Sequence, residues 1–282
     1  MAKLTSASYV KIALIIVFGA LFLSVIGFGG CSSGHLGSGI LGGSEMGSAN
    51  VDAASVKNLS VKWSAGEVKV NVTDEGDSIE LIETAPRGMT KAQQMRWTLN
   101  GETLSVDYGS WFSCFALGRK DLEVRIPKSC ARQLGAVDIV AASGDYDVSG
   151  LSCETLTFQL ASGDLEGRDL QANNLRIDVA SGQLNVEGCF PDYVNVRTAS
   201  GETRVVCEEA CPASIDADIA SGEVSVAVPQ GSGFTARIDK ASGQFTSAFL
   251  LTQNGNVYAS GDGSANVNAH LASGEFRIDS SN

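Results

Sequence analysis

Beyond residue 130 the chain alternates apolar and polar side chains in a phase that is reset at regular intervals. Leu175, Ile177 and Val179 alternate with Arg176 and Asp178, and after a short break Leu184 and Val186 alternate with Gln183 and Asn185. The same phase returns in Val137/Ile139, Leu156/Phe158/Leu160, Val194/Val196, Ile215/Ala217/Ile219 and Val267/Ala269/Leu271. Period-two alternation predicts half-buried strands. The break between two strands is each time the triplet Ala-Ser-Gly, with glycines at Gly144, Gly163, Gly182, Gly201, Gly222, Gly243, Gly261 and Gly274. Gly gives the backbone freedom for a sharp bend, Ser can hydrogen-bond locally, and Ala fits where two strands converge. Each unit therefore reads as strand, tight arc, strand and looser return.

The gaps between those glycines are 19, 19, 19, 21, 21, 18 and 13 residues. A sustained period near twenty marks a stacked repeat. One unit cannot bury its apolar face alone, so like strands of successive units pair in parallel around a narrow core. The predicted fold class is all-β: a single-stranded parallel β-solenoid, with a rise of about 4.8 Å per coil. Hairpins with Ser-Gly turns in a sandwich would share the alternation, but need neither the fixed period nor the recurring triplet.

The region ahead of the repeats divides by composition. Residues 1–11 carry Lys3 and Lys11, residues 12–28 are uncharged and apolar, and no Asp, Glu, Lys or Arg follows until Glu45. A run of that length predicts an N-terminal hydrophobic helix at the edge of what spans a bilayer. The flanking lysines put residues 1–11 in the cytoplasm and the body outside. Cys31 follows Phe28-Gly29-Gly30, which resembles a bacterial lipoprotein signal with Cys31 as the lipidation site. Signal anchor and lipoprotein both stand as readings, and either tethers the body to the cytoplasmic membrane through residues 12–28. Residues 29–50 read as a Gly/Ser linker.

Residues 51–130 are strand-rich but irregular, and read as a β-rich cap on the N-terminal end of the solenoid at 131–282. Within the cap, Val61 to Val70 with Ser64-Ala65-Gly66 looks like a degenerate first copy of the repeat. Ile79–Glu83 and Leu122–Ile126 read as strands. Asn100-Gly101 between Trp97-Thr98-Leu99 and Thr103–Val106 signals a hairpin. Thr90 to Arg96 reads as a helical turn or a loop.

The segment Leu122-Glu123-Val124-Arg125-Ile126-Pro127-Lys128, followed by Ala142-Ser143-Gly144-Asp145 and its copies to Ala272-Ser273-Gly274-Glu275, resembles the bacterial cell-envelope "putative adhesin" domains of β-strand repeats. The resemblance covers roughly 51–282. It implies a repeat architecture and an envelope location, and carries no catalytic motif.

Composition narrows the chemistry. A net charge of −12 argues against nucleic acid and anionic lipid as ligands. His35 and His270 are the only histidines, which leaves little for His-based catalysis or metal binding. The residues after each Ser-Gly (Asp145, Asp164, Gln183, Glu202, Glu223, Gln244, Asp262 and Glu275) would form a polar ladder. Such a ladder suits an exposed arc, and no calcium-type Gly-Gly-x-Gly-x-Asp repeat occurs, so no metal or cofactor is expected. The arc serines fit turns, since no Gly-x-Ser-x-Gly elbow is present. His270 falls in the outward phase. Lys240 falls in the inward phase beside an arc, where its ammonium can snorkel out. Trp111, Phe112 and Phe115 form the most conspicuous candidate contact patch, or else plug the end of the core.

An exported chain permits disulfides. Candidate pairs are Cys207 with Cys211, Cys189 with Cys207, and Cys114 with Cys130. The sequence thus points to a non-catalytic structural or interaction module whose partner is an unidentified envelope protein or glycan. A polysaccharide-active β-helix enzyme and an accessory protein in envelope-stress signalling are the alternatives. The enzyme would need clustered carboxylates of tuned pKa, whereas the acidic residues here are spread along the repeat.

Overall fold

The computed structural model describes residues 45–86, 88–109 and 119–281, which form an all-β body with a continuous hydrogen-bonded sheet. The expected tether, Cys31 and most of the linker lie outside the described residues, as do Trp111, Phe112, Cys114 and Phe115. No helix among the described residues is long and apolar enough to cross a membrane.

Two ladders run through the body, one on each side of the Ala-Ser-Gly arcs. The front ladder stacks the strands that precede an arc. Asn58–Trp63, Leu134–Ala141, Ser152–Leu160, the last part of Asp164–Val179, Tyr193–Thr198 and Ser214–Ile219 follow one another in parallel register. The back ladder does the same with Glu67–Thr73, Asp145–Ser149, the first part of Asp164–Val179, Gln183–Cys189, Glu202–Cys207 and Glu223–Val228. Parallel strands need both sides of their inward face covered. Here the inward residues of the two ladders meet in one core, where Leu156, Phe158, Ile177, Val186, Val196, Val205, Ile215 and Val226 are fully buried.

Coil order in space departs from coil order in sequence at both ends. The coil of Ala265–Leu271 and Glu275–Ser280 slots between the coil ending in Glu223–Val228 and that of Phe234–Lys240 with Gln244–Ser247. At the other end, Asn58–Trp63 and Glu67–Thr73 lie between the next coil and the later strands Thr103–Asp107 and Asp121–Pro127. The degenerate copy around Ser64-Ala65-Gly66 is therefore a full coil inside the stack, and the division at 130 does not separate a cap from the repeats.

Antiparallel strands close the N-terminal end. Ser78–Thr84 and Ala49–Asp52 continue the back ladder, and Arg96–Asn100 and Glu45–Met46 the front one. Residues 45–46 and 49–50 of the expected linker are thus strand. The hairpin at Asn100-Gly101 turns one residue later than expected, since Asn100 pairs with Thr103 and Gly101 adopts φ +59°. Residues Lys91–Gln93 form a short 3-10 turn.

Gly261 corrects the arc assignment. Ala259 and Ser260 belong to the antiparallel strand Val257–Ser260, which pairs with Phe234–Lys240 and with Thr252–Asn254. No strand starts directly after Gly261, because Asp262-Gly263-Ser264 first turns the chain back into the stack, with the Asp262 carboxylate accepting from the Ser264 N–H at 3.1 Å.

Candidate functional site

The arcs form one ridge along the body, and its geometry explains the triplet. In each arc the residue after glycine donates its N–H to the carbonyl of the preceding arc's glycine: Asp164 to Gly144 at 3.0 Å, Gln183 to Gly163 at 3.0 Å, Glu202 to Gly182 at 2.9 Å and Glu223 to Gly201 at 3.0 Å. Each glycine Cα then lies over that carbonyl, leaving no room for a side chain. A Cβ on Gly201 would come within 2.5 Å of the Gly182 oxygen. Gly144, Gly163 and Gly182 add positive φ, whereas Gly201, Gly222, Gly243 and Gly274 do not. The serines bond between coils rather than to their own turn. Ser162 Oγ donates to the Ala142 carbonyl at 3.1 Å, Ser221 to Ala199 at 3.2 Å, and Ser242 to Ala272 at 2.9 Å.

Beside the ridge runs the polar ladder, in register from Glu67 through Asp145, Asp164, Gln183, Glu202, Glu223 and Glu275 to Gln244. Asp262 stands outside it, in the turn after Gly261. An open groove of about 670 Å³ follows this ladder between Gly182 and Glu275. Arg277 bridges two of its carboxylates, at 3.4 Å from Glu223 and 3.0 Å from Glu275. Among the described residues no cluster of His, Cys, Asp and Glu is arranged to hold a metal ion.

The outer face of the front ladder carries a second polar column. Asp178, Arg197, Asp218, His270 and Asp239 stand in register. Asp178 is only 3% exposed, with Arg176 at 3.1 Å and Arg197 at 3.9 Å. Tyr193 donates to Asp216 at 2.7 Å, and Asn268 donates to its other oxygen at 2.9 Å. Burial raises the pKa of Asp218 above the usual carboxylate range, against the pull of His270 and Arg197. His270 is exposed, as its outward phase predicts. Lys240 is exposed as well, at the end of its strand opposite Leu271.

The candidate contact patch of Trp111, Phe112 and Phe115 lies outside the described residues. Its described flanks, Tyr108 and Lys120, take the position that an Ala-Ser-Gly arc occupies in other coils: Trp63 Nε1 donates to the Lys120 carbonyl at 2.8 Å. The Lys120 ammonium is wholly buried, 2.5 Å from Glu83 and 2.9 Å from the Gln93 carbonyl. It sits over the rings of Tyr108 and Trp63, at 4.3 and 5.1 Å from their centres. Burial lowers its pKa, opposed by Glu83. This anchor was not identified from the sequence. Its only signal was a lysine two places ahead of the alternating run Leu122–Ile126.

Cys189, Cys207 and Cys211 lie together at one corner of the body. Cys130, Cys153, Cys189, Cys207 and Cys211 are free thiols. Cys207 is buried and pairs in register with Gly188, one place from Cys189, while Cys211 packs against the core from the turn beyond. Burial pushes the Cys207 thiol up to about 12 and Cys211 up to about 11. Cys130 donates weakly to the Val56 carbonyl, and its candidate partner Cys114 lies outside the described residues.

The Toastrack DUF4097 family model matches residues 82–280. No curated protein matches the chain. Two solved structures are similar to it. One is titled a "putative cell adhesion protein" from Clostridium sporogenes, at 12% identity and TM-score 0.39, covering 84% of this chain and 100% of that one. The other is titled a "putative adhesin" from Bacteroides fragilis, at 12% identity and TM-score 0.41, covering 84% of this chain and 97% of that one.

Proposed function

The chain belongs to the Toastrack DUF4097 family, and we propose that it serves as a non-catalytic interaction module, a parallel β-solenoid held outside the cytoplasmic membrane by residues 12–28. One observation carries this reading: the main-chain ladder keeps its register from coil to coil while ordinary polar side chains are spaced evenly along its outer faces. Such a surface offers many equivalent contacts and concentrates no reactive group in one place. Its partner is an envelope protein or a glycan.

The position of the two ends supports a spacer role. The first described residues, Glu45–Met46, pair at one end of the front ladder, and Thr252–Asn254 pair at the other. The pairing order between them amounts to a body on the order of 60 Å long at about 4.8 Å per strand. A tether ahead of residue 45 then leaves the opposite end distal to the membrane.

The test has two arms. External protease on intact cells should remove the body and spare a cytoplasmic control, and full protection refutes the topology. Fatty-acid labelling lost in Cys31→Ser separates lipoprotein from signal anchor. In the second arm, Asp145→Asn, Glu202→Gln and Glu223→Gln should each leave envelope association and partner crosslinking unchanged, because exposed substitutions rarely exceed about 0.5 kcal/mol. If one of them abolishes function at unchanged thermal stability, the glutamate groove becomes an active site and the polysaccharide-enzyme reading replaces this one.

A further inference from the structure

We propose that the distal end of the stack is a self-association surface, pairing with the same end of a second copy of this chain. The back ladder ends in Gln244–Ser247, which pairs on one side only, with Glu275–Ser280. The front ladder ends at the same place in Thr252–Asn254, which pairs only with Val257–Ser260. Both leave an unpaired edge. Gln244 and Ala248 donate their N–H groups inward, to the Gly274 and Ile278 carbonyls. By the alternation of a strand, the N–H and C=O groups of Phe245 and Ser247 point out along the open edge.

Natural sheets guard such edges with charge. The opposite end follows that rule, with the exposed Asp52 on its outermost back-ladder strand. The distal end breaks it: from Ala241 to Gly261 there is no Asp, Glu, Lys, Arg or His. Between the two edges Leu250 stands 95% exposed, the one large hydrophobic so exposed among the described residues.

Charge also selects the occupant. The chain carries −12 overall, and its ridge stacks Glu202, Glu223 and Glu275 in register. Two copies meeting side by side would oppose these carboxylates within a screening length of about 8 Å. The neutral distal end is where like copies approach without that penalty. A twofold axis through Thr246 makes the two Gln244–Ser247 strands antiparallel, so that Phe245 of each copy exchanges main-chain bonds with Ser247 of its partner. Leu250 of each copy is then covered.

This deepens the interaction-module reading by naming its partner, and its test is separable from the tether. The full-length chain, purified in non-ionic detergent, is followed by sedimentation equilibrium. Wild type should form a dimer that Leu250→Asp weakens at least tenfold, with circular dichroism and melting unchanged. Thr246→Lys, which brings two ammonium groups to the axis, should weaken it likewise. Thr246→Cys should crosslink to itself under mild oxidation, since facing residues of a non-hydrogen-bonded pair sit about 4.5 Å apart at Cα. Gln244→Cys should not. A monomeric wild type overturns the proposal, as does a dimer indifferent to both Leu250→Asp and Thr246→Lys. Uptake of an unrelated extended peptide at this edge by a monomer also overturns it. Protease accessibility on intact cells, read in the same variants, reports on the tether alone.

Discussion

Alanine at Gly182 tests whether the arcs hold the coils together by main-chain contact. Gly182 has φ +101°, and its added Cβ would overlap the Gly163 carbonyl oxygen and lie 2.9 Å from the Gly163 nitrogen. Positive φ in a non-glycine residue costs of order 1–3 kcal/mol. Relief of the overlap requires the two coils to part, which strains the bond from Gln183 to Gly163 at 3.0 Å and that from Glu202 to Gly182 at 2.9 Å. Each such bond has a net worth of about 0.5–1.5 kcal/mol. The sum is about 2–6 kcal/mol, or a Tm lower by about 4–24 °C for a body of this size. Gly201→Ala separates the two causes. It meets the Gly182 oxygen at 2.5 Å and Val179 Cγ1 at 2.8 Å without positive φ, so it should lose less, by about the φ cost of 1–3 kcal/mol. Gly88, with nothing within 4 Å of its added Cβ, is the control and should be neutral. Thermal melts by circular dichroism read all three. If Gly182→Ala melts with Gly88→Ala, the close approach of coils does not constrain the arc. If Gly201→Ala loses as much as Gly182→Ala, backbone sign plays no part.

Four further outcomes follow from particular side chains. Thr198 and Thr203 are buried and share a hydroxyl bond of 2.9 Å; either one changed to Val should cost about 1–3 kcal/mol by stranding the other, and the double change should recover most of it in a denaturant titration. Lys120→Ala should destabilise by about 3–5 kcal/mol by leaving Glu83 buried without its cation, and should lose more than Lys120→Ala/Glu83→Gln. Burial holds Asp107 and Asp218 above their usual value of 3.8, so the folded state keeps these protons where the unfolded state has lost them; stability should therefore fall as pH rises from 3.8 through the raised values, and Asp107→Asn/Asp218→Asn should flatten that slope. Under iodoacetamide Cys189 should react before Cys207, whose thiol is buried and pushed up to about 12, and labelling of Cys207 at the rate of Cys189 in the native state would contradict the packing of that corner.

The inward alternation and the Gly-Ser arcs were legible because both answer to local rules. A strand buried on one face must alternate, and Val194, Val196, Ile215, Ala217 and Ile219 do so and are buried. What escaped the sequence were the choices among equivalent partners. Every coil presents the same inward pattern and the same arc, so any coil can accept any other as its neighbour, and parallel pairing carries no turn to fix the order. The stack uses this freedom at both ends. Phe234–Lys240 docks one place beyond Ser214–Ile219, and Ala265–Leu271 returns to fill the vacant rung. The gaps of 18 and 13 residues were the trace of that detour, and Gly261 is no arc because a triplet marks one only when the next strand starts at the residue after its glycine, as at Gln183 and Glu202 but not at Asp262.

The same insertion bears on the edges. A final coil added last in line would leave its own inward face half covered and its terminus at the open end. Tucked between two coils, Glu275–Ser280 is paired on both sides, and Phe276 and Ile278 are fully buried. The strands left outermost are then the short Gln244–Ser247 and Thr252–Asn254, which belong to an uncharged excursion rather than to a repeat. A chain needing only to finish its stack could have guarded that edge with one lysine. Its place at the end away from the entering chain, together with the exposed Leu250, is what a surface meant to meet another edge requires.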